Sequence, residues 1–125
     1  MILGIGIDII EVERIAASYE RFGERFLNRI LHANEIKYCL SHKVPGPFLA
    51  ARFAGKEAAM KALGTGLTGV AWAEIEILSD ERGKPYVKLH GRAKERAAAL
   101  GLQHWSVSLT HSRELACALV VAQAG

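Results

Sequence analysis

The chain opens on Ile2 to Ile10, a run that is apolar on both alternating faces and broken only by Gly4, Gly6 and Asp8. Such a run reads as a buried central strand. From Glu11 to Phe22 the apolar positions move to helical spacing at Val12, Ile15, Ala16 and Tyr19, with Glu13, Arg14, Glu20 and Arg21 on the other faces. An amphipathic helix therefore follows the strand directly. A basic and aromatic connector with Arg25, Phe26 and Arg29 leads to a short helical piece around Glu35 to Leu40, which Pro45, Gly46 and Pro47 end. A new helix is expected from Pro47 or Phe48. There Leu49, Phe53, Met60 and Leu63, filled in by alanines, hold a strong helical pattern until the Gly64-Thr65-Gly66 run.

The second half changes period. Ala73 to Leu78 and Tyr86 to Leu89 alternate as strands around the turn-forming residues 80–85, which predicts a hairpin. Gly91 to Leu100 is alanine-rich and helical and is capped by Gly101, and Trp105 to Leu109 and Leu115 to Ala122 read as two more strands joined by the polar turn Thr110-His111-Ser112-Arg113. The architecture predicted is α+β, a mainly antiparallel sheet packed on one long helix. With 125 residues and no linker or repeat, the chain is expected to form a single domain over 1–125.

Composition narrows the function classes. Half the residues are hydrophobic and 23% are charged, the balance of a packed globular protein. The formal charge of +3 favours anionic partners without choosing among phosphates, acidic proteins and nucleic acid. Cys39 and Cys117 have no metal-ligand spacing and sit in apolar runs, which suits buried thiols in a reducing, cytoplasmic setting. The opening residues lack the basic region of a signal peptide, and no run approaches the ~20 apolar residues of a membrane span. No Ser/His/Asp order, zinc spacing or phosphate-binding loop of the P-loop kind is present.

Three places carry candidate chemistry. Asp8 is an acid inside an apolar strand, where an unpaired carboxylate costs several kcal/mol, so a cation must meet it. That cation is either a nearby Arg or a metal ion, and a helix-capping role is equally compatible with the position. In the long helix, Arg52, Lys56, Glu57 and Lys61 lie close together, with Glu57 and Lys61 sharing a face. Taken alone they form an ordinary solvated face with an i, i+4 ion pair. The small residues Ala54, Gly55, Ala58 and Ala59 nevertheless let another element come close, which would allow Glu57 to face the first strand. Asp8 and Glu57 together would then make a hard-oxygen site of the Mg2+ type, with Lys61 one turn on pointing at the same phosphates. The third place is Ser106 to His111, where His111 is a candidate proton-transfer group or phosphate contact at a position that is commonly structural.

These residues fall into four stretches that resemble the holo-acyl-carrier-protein synthases, the small single-domain group of 4'-phosphopantetheinyl transferases. The stretches are Gly4-Ile5-Gly6-Ile7-Asp8 followed by Arg14; Arg52-Phe53-Ala54-Gly55-Lys56-Glu57-Ala58 with Lys61 and Gly64; Gly83-Lys84-Pro85; and Ser106 to His111 with the strand Ala116 to Val121. The likeness runs almost end to end, with Gly55 where an alanine is common and Trp105 as a large residue before the Ser-Val-Ser strand. It implies transfer of the phosphopantetheine arm of coenzyme A to a serine of an apo acyl carrier protein in support of fatty acid biosynthesis. Mg2+ would sit on Asp8 and Glu57, and Lys61 beside the pyrophosphate. Arg52, His111, Pro85 and the Gly64-Thr65-Gly66 turn would meet the nucleotide end. The carrier would dock on Arg14, Arg21 and Arg25, and the molecule would be a homotrimer with active sites between subunits.

Two rivals come from other classes. A module tracking a nucleic-acid backbone with Arg14, Arg21, Arg25 and Arg29 is opposed by Glu11, Glu13, Glu20 and Glu24, which interleave with those arginines. A homo-oligomer that holds coenzyme A without turnover is separated from an enzyme only by assay.

Overall fold

The computed structural model describes residues 1–66 and 69–125. In chain order the elements are β1 (Ile2–Glu11), α1 (Val12–Phe22), α2 (Glu24–Ile30), α3 (Ala33–Leu40), α4 (Gly46–Leu63), a 3-10 turn at Trp72–Glu74, β2 (Ile75–Ser79), β3 (Pro85–Leu89), α5 (Gly91–Ala99), β4 (His104–His111) and β5 (Leu115–Gln123). The α+β class and the antiparallel pairing agree with the sequence pattern, but the strands divide into two sheets. One has the order β1-β5-β4, and the other is the β2-β3 hairpin.

The long helix is the axis of the fold. Leu49, Ala50, Ala54, Ala58, Ala59, Met60 and Leu63 are all but inaccessible, and so are the charged Arg52 and Lys56. A helix covered nearly all round belongs in a core rather than on a surface. One of its sides lies against β1 and β5, another against α1, and a third against the hairpin. Pro47 occupies its first turn, where a missing N–H costs nothing.

Register decides which strand residues meet that helix. Ile7 pairs with Leu119 and Asp8 with Ala118, so Gly4, Gly6, Asp8 and Ile10 share one face with Ala116, Ala118, Val120 and Ala122. That face is the inner one, and Ala116, Ala118, Val120 and Ala122 are fully buried. Ile5, Ile7 and Ile9 point the other way and are 60%, 59% and 63% exposed. The sequence reading of β1 as a buried central strand is therefore corrected. It is an edge strand, β5 is central, and its second apolar face is uncovered within one chain.

Other boundaries move for local reasons. The connector after α1 is itself helical, α2, set off by Gly23 at φ 60, a left-handed conformation that lets the chain turn without strain. Thr110 and His111, read as turn, are the end of β4, paired with Cys117 and Ala116.

Candidate functional site

Two glycines bring the carboxylates together. A methyl group on Gly6 would lie 2.7 Å from the Ala58 carbonyl carbon, and one on Gly4 would lie 3.2 Å from that of Ala62. Only a strand without side chains there lets β1 reach the backbone of α4. Asp8, next on the same face, is thereby laid beside Glu57. Gly55 does not take part in this approach as the sequence suggested, because its open side faces Leu109 and Ile77 instead.

The pair is electrostatically uneasy. Burial, then the adjacent Asp8 charge and a hydrogen bond with its side chain, push the Glu57 carboxyl above the ordinary carboxylate range, while Lys61 and Arg14 pull it part of the way back. Asp8 is only 11% exposed; Lys61 Nζ stands 3.3 Å from its Oδ1 and donates a 2.8 Å hydrogen bond to the Ile7 carbonyl. Oδ2 of Asp8 is buried and has no hydrogen-bond partner among the described residues. An orphaned carboxylate oxygen beside a second carboxylate that disfavours its own charge there is the donor set that a hard divalent cation satisfies. The residues present fit Mg2+.

A second cluster lies around α4 from the first. Arg52, Pro85 and His111 line a cavity of about 140 Å³ together with Tyr38, Phe48 and Ser79. Arg52 donates from Nη2 to Ser79 Oγ at 2.9 Å, and its guanidinium lies 4.4 Å from the centre of the Tyr38 ring. Its Nε is buried without a partner among the described residues, a donor left over for a ligand. Phe48 stacks on His42 at 3.5 Å between ring centroids and meets His111 edge-on at 4.9 Å. Sequence reasoning missed Tyr38, His42, Phe48 and Ser79, since none lies in a recognisable spacing and only the packing of α3 on α4 gathers the aromatic three.

The remaining predicted residues are spread out. Gly64, at φ 75, and Gly66, at φ 58, turn the chain at the far end of α4, and Thr65 Oγ1 donates to the Gly66 carbonyl at 3.1 Å. At 1.5 Å rise per residue this turn is ~18 Å along the helix from Arg52. Arg14 is exposed on α1, with its charge felt at Glu57; Arg21 lies over the Phe22 ring; and Arg25, on α2 rather than in a loop, lines a surface depression with Ser18, Phe22, Phe26 and Arg29.

The family model described as the 4'-phosphopantetheinyl transferase superfamily matches residues 4–120. The holo-[acyl-carrier-protein] synthase of Protochlamydia amoebophila is 48% identical over 122 residues, covering 97% of this chain and 98% of that protein. This chain belongs to that family. The synthase of Halothermothrix orenii is 43% identical over the full length of both chains, 100% of each. Among solved structures, the Neisseria meningitidis synthase superimposes with a TM-score of 0.89 at 36% identity, over 98% of this chain and 99% of that one. The Helicobacter pylori synthase, solved in complex with coenzyme A, gives 0.84 at 34% identity, over 95% and 99%. As a synthase-family chain, the protein keeps its four resembling stretches on the two clusters just described and on the turn that ends α4.

Proposed function

We propose that the protein transfers the 4'-phosphopantetheine group of coenzyme A to the serine hydroxyl of an apo acyl carrier protein, releasing 3',5'-ADP. The observation that carries this reading is the meeting of Asp8 and Glu57 with one carboxylate oxygen left unpartnered. Asp8 and Glu57 would hold Mg2+, which when bound supplies charge neutralisation and polarisation at the pyrophosphate. One of these two carboxylates would accept the proton of the carrier serine as its oxygen attacks the β-phosphorus. The bond from that phosphorus to the bridging oxygen breaks, and 3',5'-ADP leaves. Lys61, 54% exposed beside Asp8, can turn its ammonium to the departing phosphate and stabilise or protonate it.

Arg52, with its unused Nε, and His111 and Pro85 around the same cavity would receive the nucleotide end, while the Gly64-Thr65-Gly66 turn would do so from a neighbouring subunit. A homotrimer with inter-subunit sites is supported by the uncovered apolar stripe of Ile5, Ile7 and Ile9 with Leu119 on β5, a patch that a monomer has no reason to leave in water. The acidic carrier would approach over Arg14, Arg21 and Arg25, where complementary charge speeds encounter. No described helix is long and apolar enough to cross a membrane, and the setting we propose is the cytoplasm, in fatty acid biosynthesis.

The deciding experiment incubates the protein with coenzyme A, Mg2+ and apo acyl carrier protein and weighs the carrier. A gain of one phosphopantetheine, abolished by chelator and restored by Mg2+, is expected. An unchanged carrier mass would overturn the reading, and transfer indifferent to chelator would remove the metal from it. Sedimentation equilibrium tests the assembly, with Ile7→Asp expected to reduce the trimer to monomers.

A further inference from the structure

Away from both clusters, His32, Glu76 and His90 bring one ligand atom each to within 4.8 Å of one another. We propose that these three side chains bind a borderline transition-metal dication of the Zn2+ kind, at a site separate from Asp8 and Glu57. His32 comes from the α2–α3 junction, Glu76 from β2 and His90 from the residue before α5, so the set is assembled by the fold and not by any local motif.

The donor chemistry selects the ion. Two imidazoles and a carboxylate suit Zn2+ and its neighbours, whereas Mg2+ and Ca2+ take oxygen ligands. His90 Nε2 and Glu76 Oε1 share a 2.9 Å hydrogen bond, and an opening of only a few tenths of an ångström, to about 3.3 Å, would let both bind one tetrahedral metal at about 2.0–2.1 Å. The His32 and His90 rings lie 5.2 Å apart between centroids, tilted by 36°. His32 Nε2 meets the Ala73 carbonyl; because a carbonyl only accepts, Nε2 carries a proton, and Nδ1 is the nitrogen this ring would offer a metal. Such a backbone acceptor is the usual orienting partner of a ligating imidazole.

A rigid scaffold stands behind the three. Glu35 accepts from the His32 backbone N–H at 2.8 Å and from Ile77 N at 2.9 Å, and Lys56 Nζ pairs with the same Glu35 at 2.8 Å. Lys56 also donates to the Trp72 and Ile75 carbonyls, on either side of the segment that holds Ala73. Glu74 accepts from Ala93 N at 3.0 Å, which fixes the start of α5 and so His90. Glu35 is taken up by Lys56 and by the two backbone N–H groups, while Glu76, buried and paired across the hairpin with Lys88, faces the two imidazole rings. A dication offsets the Glu76 carboxylate, and three protein ligands leave one position for water.

The test uses the full-length, chelator-stripped protein, as wild type, Asp8→Asn, His32→Gln and His90→Gln, with Zn2+ and Co2+ alone as probes. Wild type and Asp8→Asn are each expected to take up about one tight equivalent at this site, with Co2+ giving visible d–d absorption and Zn2+ raising Tm. Either histidine variant should weaken uptake by roughly 100-fold or more, beyond the ~10–100-fold that loss of a merely supporting partner gives. In the wild type itself, Zn2+ should shift the imidazole nitrogen resonances of His32 and His90 and leave His42, His104 and His111 in place, a readout that does not depend on any variant folding. Uptake unchanged in both histidine variants, uptake lost only with Asp8→Asn, or no micromolar binding at all would each overturn the proposal.

Discussion

Gly6→Ala tests whether the closeness of β1 and α4 is what assembles the transfer site. The added methyl would sit 2.7 Å from the Ala58 carbonyl carbon and 3.0 Å from Ala62 N. Carbon atoms rest at about 3.5–4.0 Å, the Ala58 carbonyl oxygen is met closer still, and all of these are helix backbone that cannot rotate away, so strand and helix must part by at least about 1 Å. Overpacking of this kind costs roughly 1–3 kcal/mol, which lowers Tm by about 5–15 °C in a domain of this size. Asp8 is two residues along the same face and moves with the strand, so its carboxylate is carried away from Glu57. A misplacement of about 1 Å in a catalytic array costs on the order of 100-fold in rate. The assay is transfer of phosphopantetheine to apo carrier protein at saturating Mg2+ and coenzyme A, at a temperature where circular dichroism shows the variant folded. A kcat within twofold of wild type in folded Gly6→Ala would refute the reasoning, because the glycine would then serve packing alone.

Glu57→Gln should stabilise the chain at neutral pH when measured without divalent ions, and when Mg2+ is added it should lack the rise in Tm expected of the wild type. The Glu57 carboxyl is raised in the folded state by burial and then by Asp8. The stability gained from its protonation is thus complete below the ordinary value of 4.5 and is lost as pH rises through the raised folded one. Metal-free wild type should therefore lose Tm across that window relative to Glu57→Gln, and parallel Tm–pH curves would contradict the coupling. Lys56→Met strands Glu35 in a site where both partners are 0% exposed, and urea denaturation should show a loss of about 3–5 kcal/mol, partly recovered in the double variant with Glu35→Gln. A loss under 1 kcal/mol would mean that water reaches the pair. Burial pushes the Cys39 thiol up to about 12, the nearby Arg52 charge opposing it, so a thiol reagent at pH 8 should leave Cys39 unlabelled in the native chain and label it after unfolding.

The elements were legible in the sequence wherever periodicity and breakers agreed: the helix from Gly46 to Leu63 announces itself by its alanines and by Pro47 and Gly64. What one chain's periodicity does not report is what covers a face. Ile5, Ile7 and Ile9 have the composition of buried residues because alternation records that a surface is apolar and not that the same molecule covers it. In the site, Asp8 was visible as a charge out of place, and Glu57 through the small residues around it and then the family likeness. Gly4 and Gly6, which bring the two together, looked like punctuation rather than a seat for a helix backbone. Ser79 and the aromatic group of Tyr38, His42 and Phe48 gave no signal, since they are joined by tertiary packing and carry no spacing of their own. His32, Glu76 and His90 escaped for the same reason.

The ammonium of Lys61 rests against the Ile7 carbonyl as well as against Asp8. β1 is the outermost strand of its sheet, and a bare outermost strand is an open template on which foreign chains can zip up. A lysine tethered there occupies one of the template's acceptors and plants a positive charge along its length. The side chain best placed to handle a leaving phosphate is thus also placed to keep separate copies of the chain from pairing along this edge. Removing its charge should shorten their life as separate, unclumped molecules even where no substrate is present.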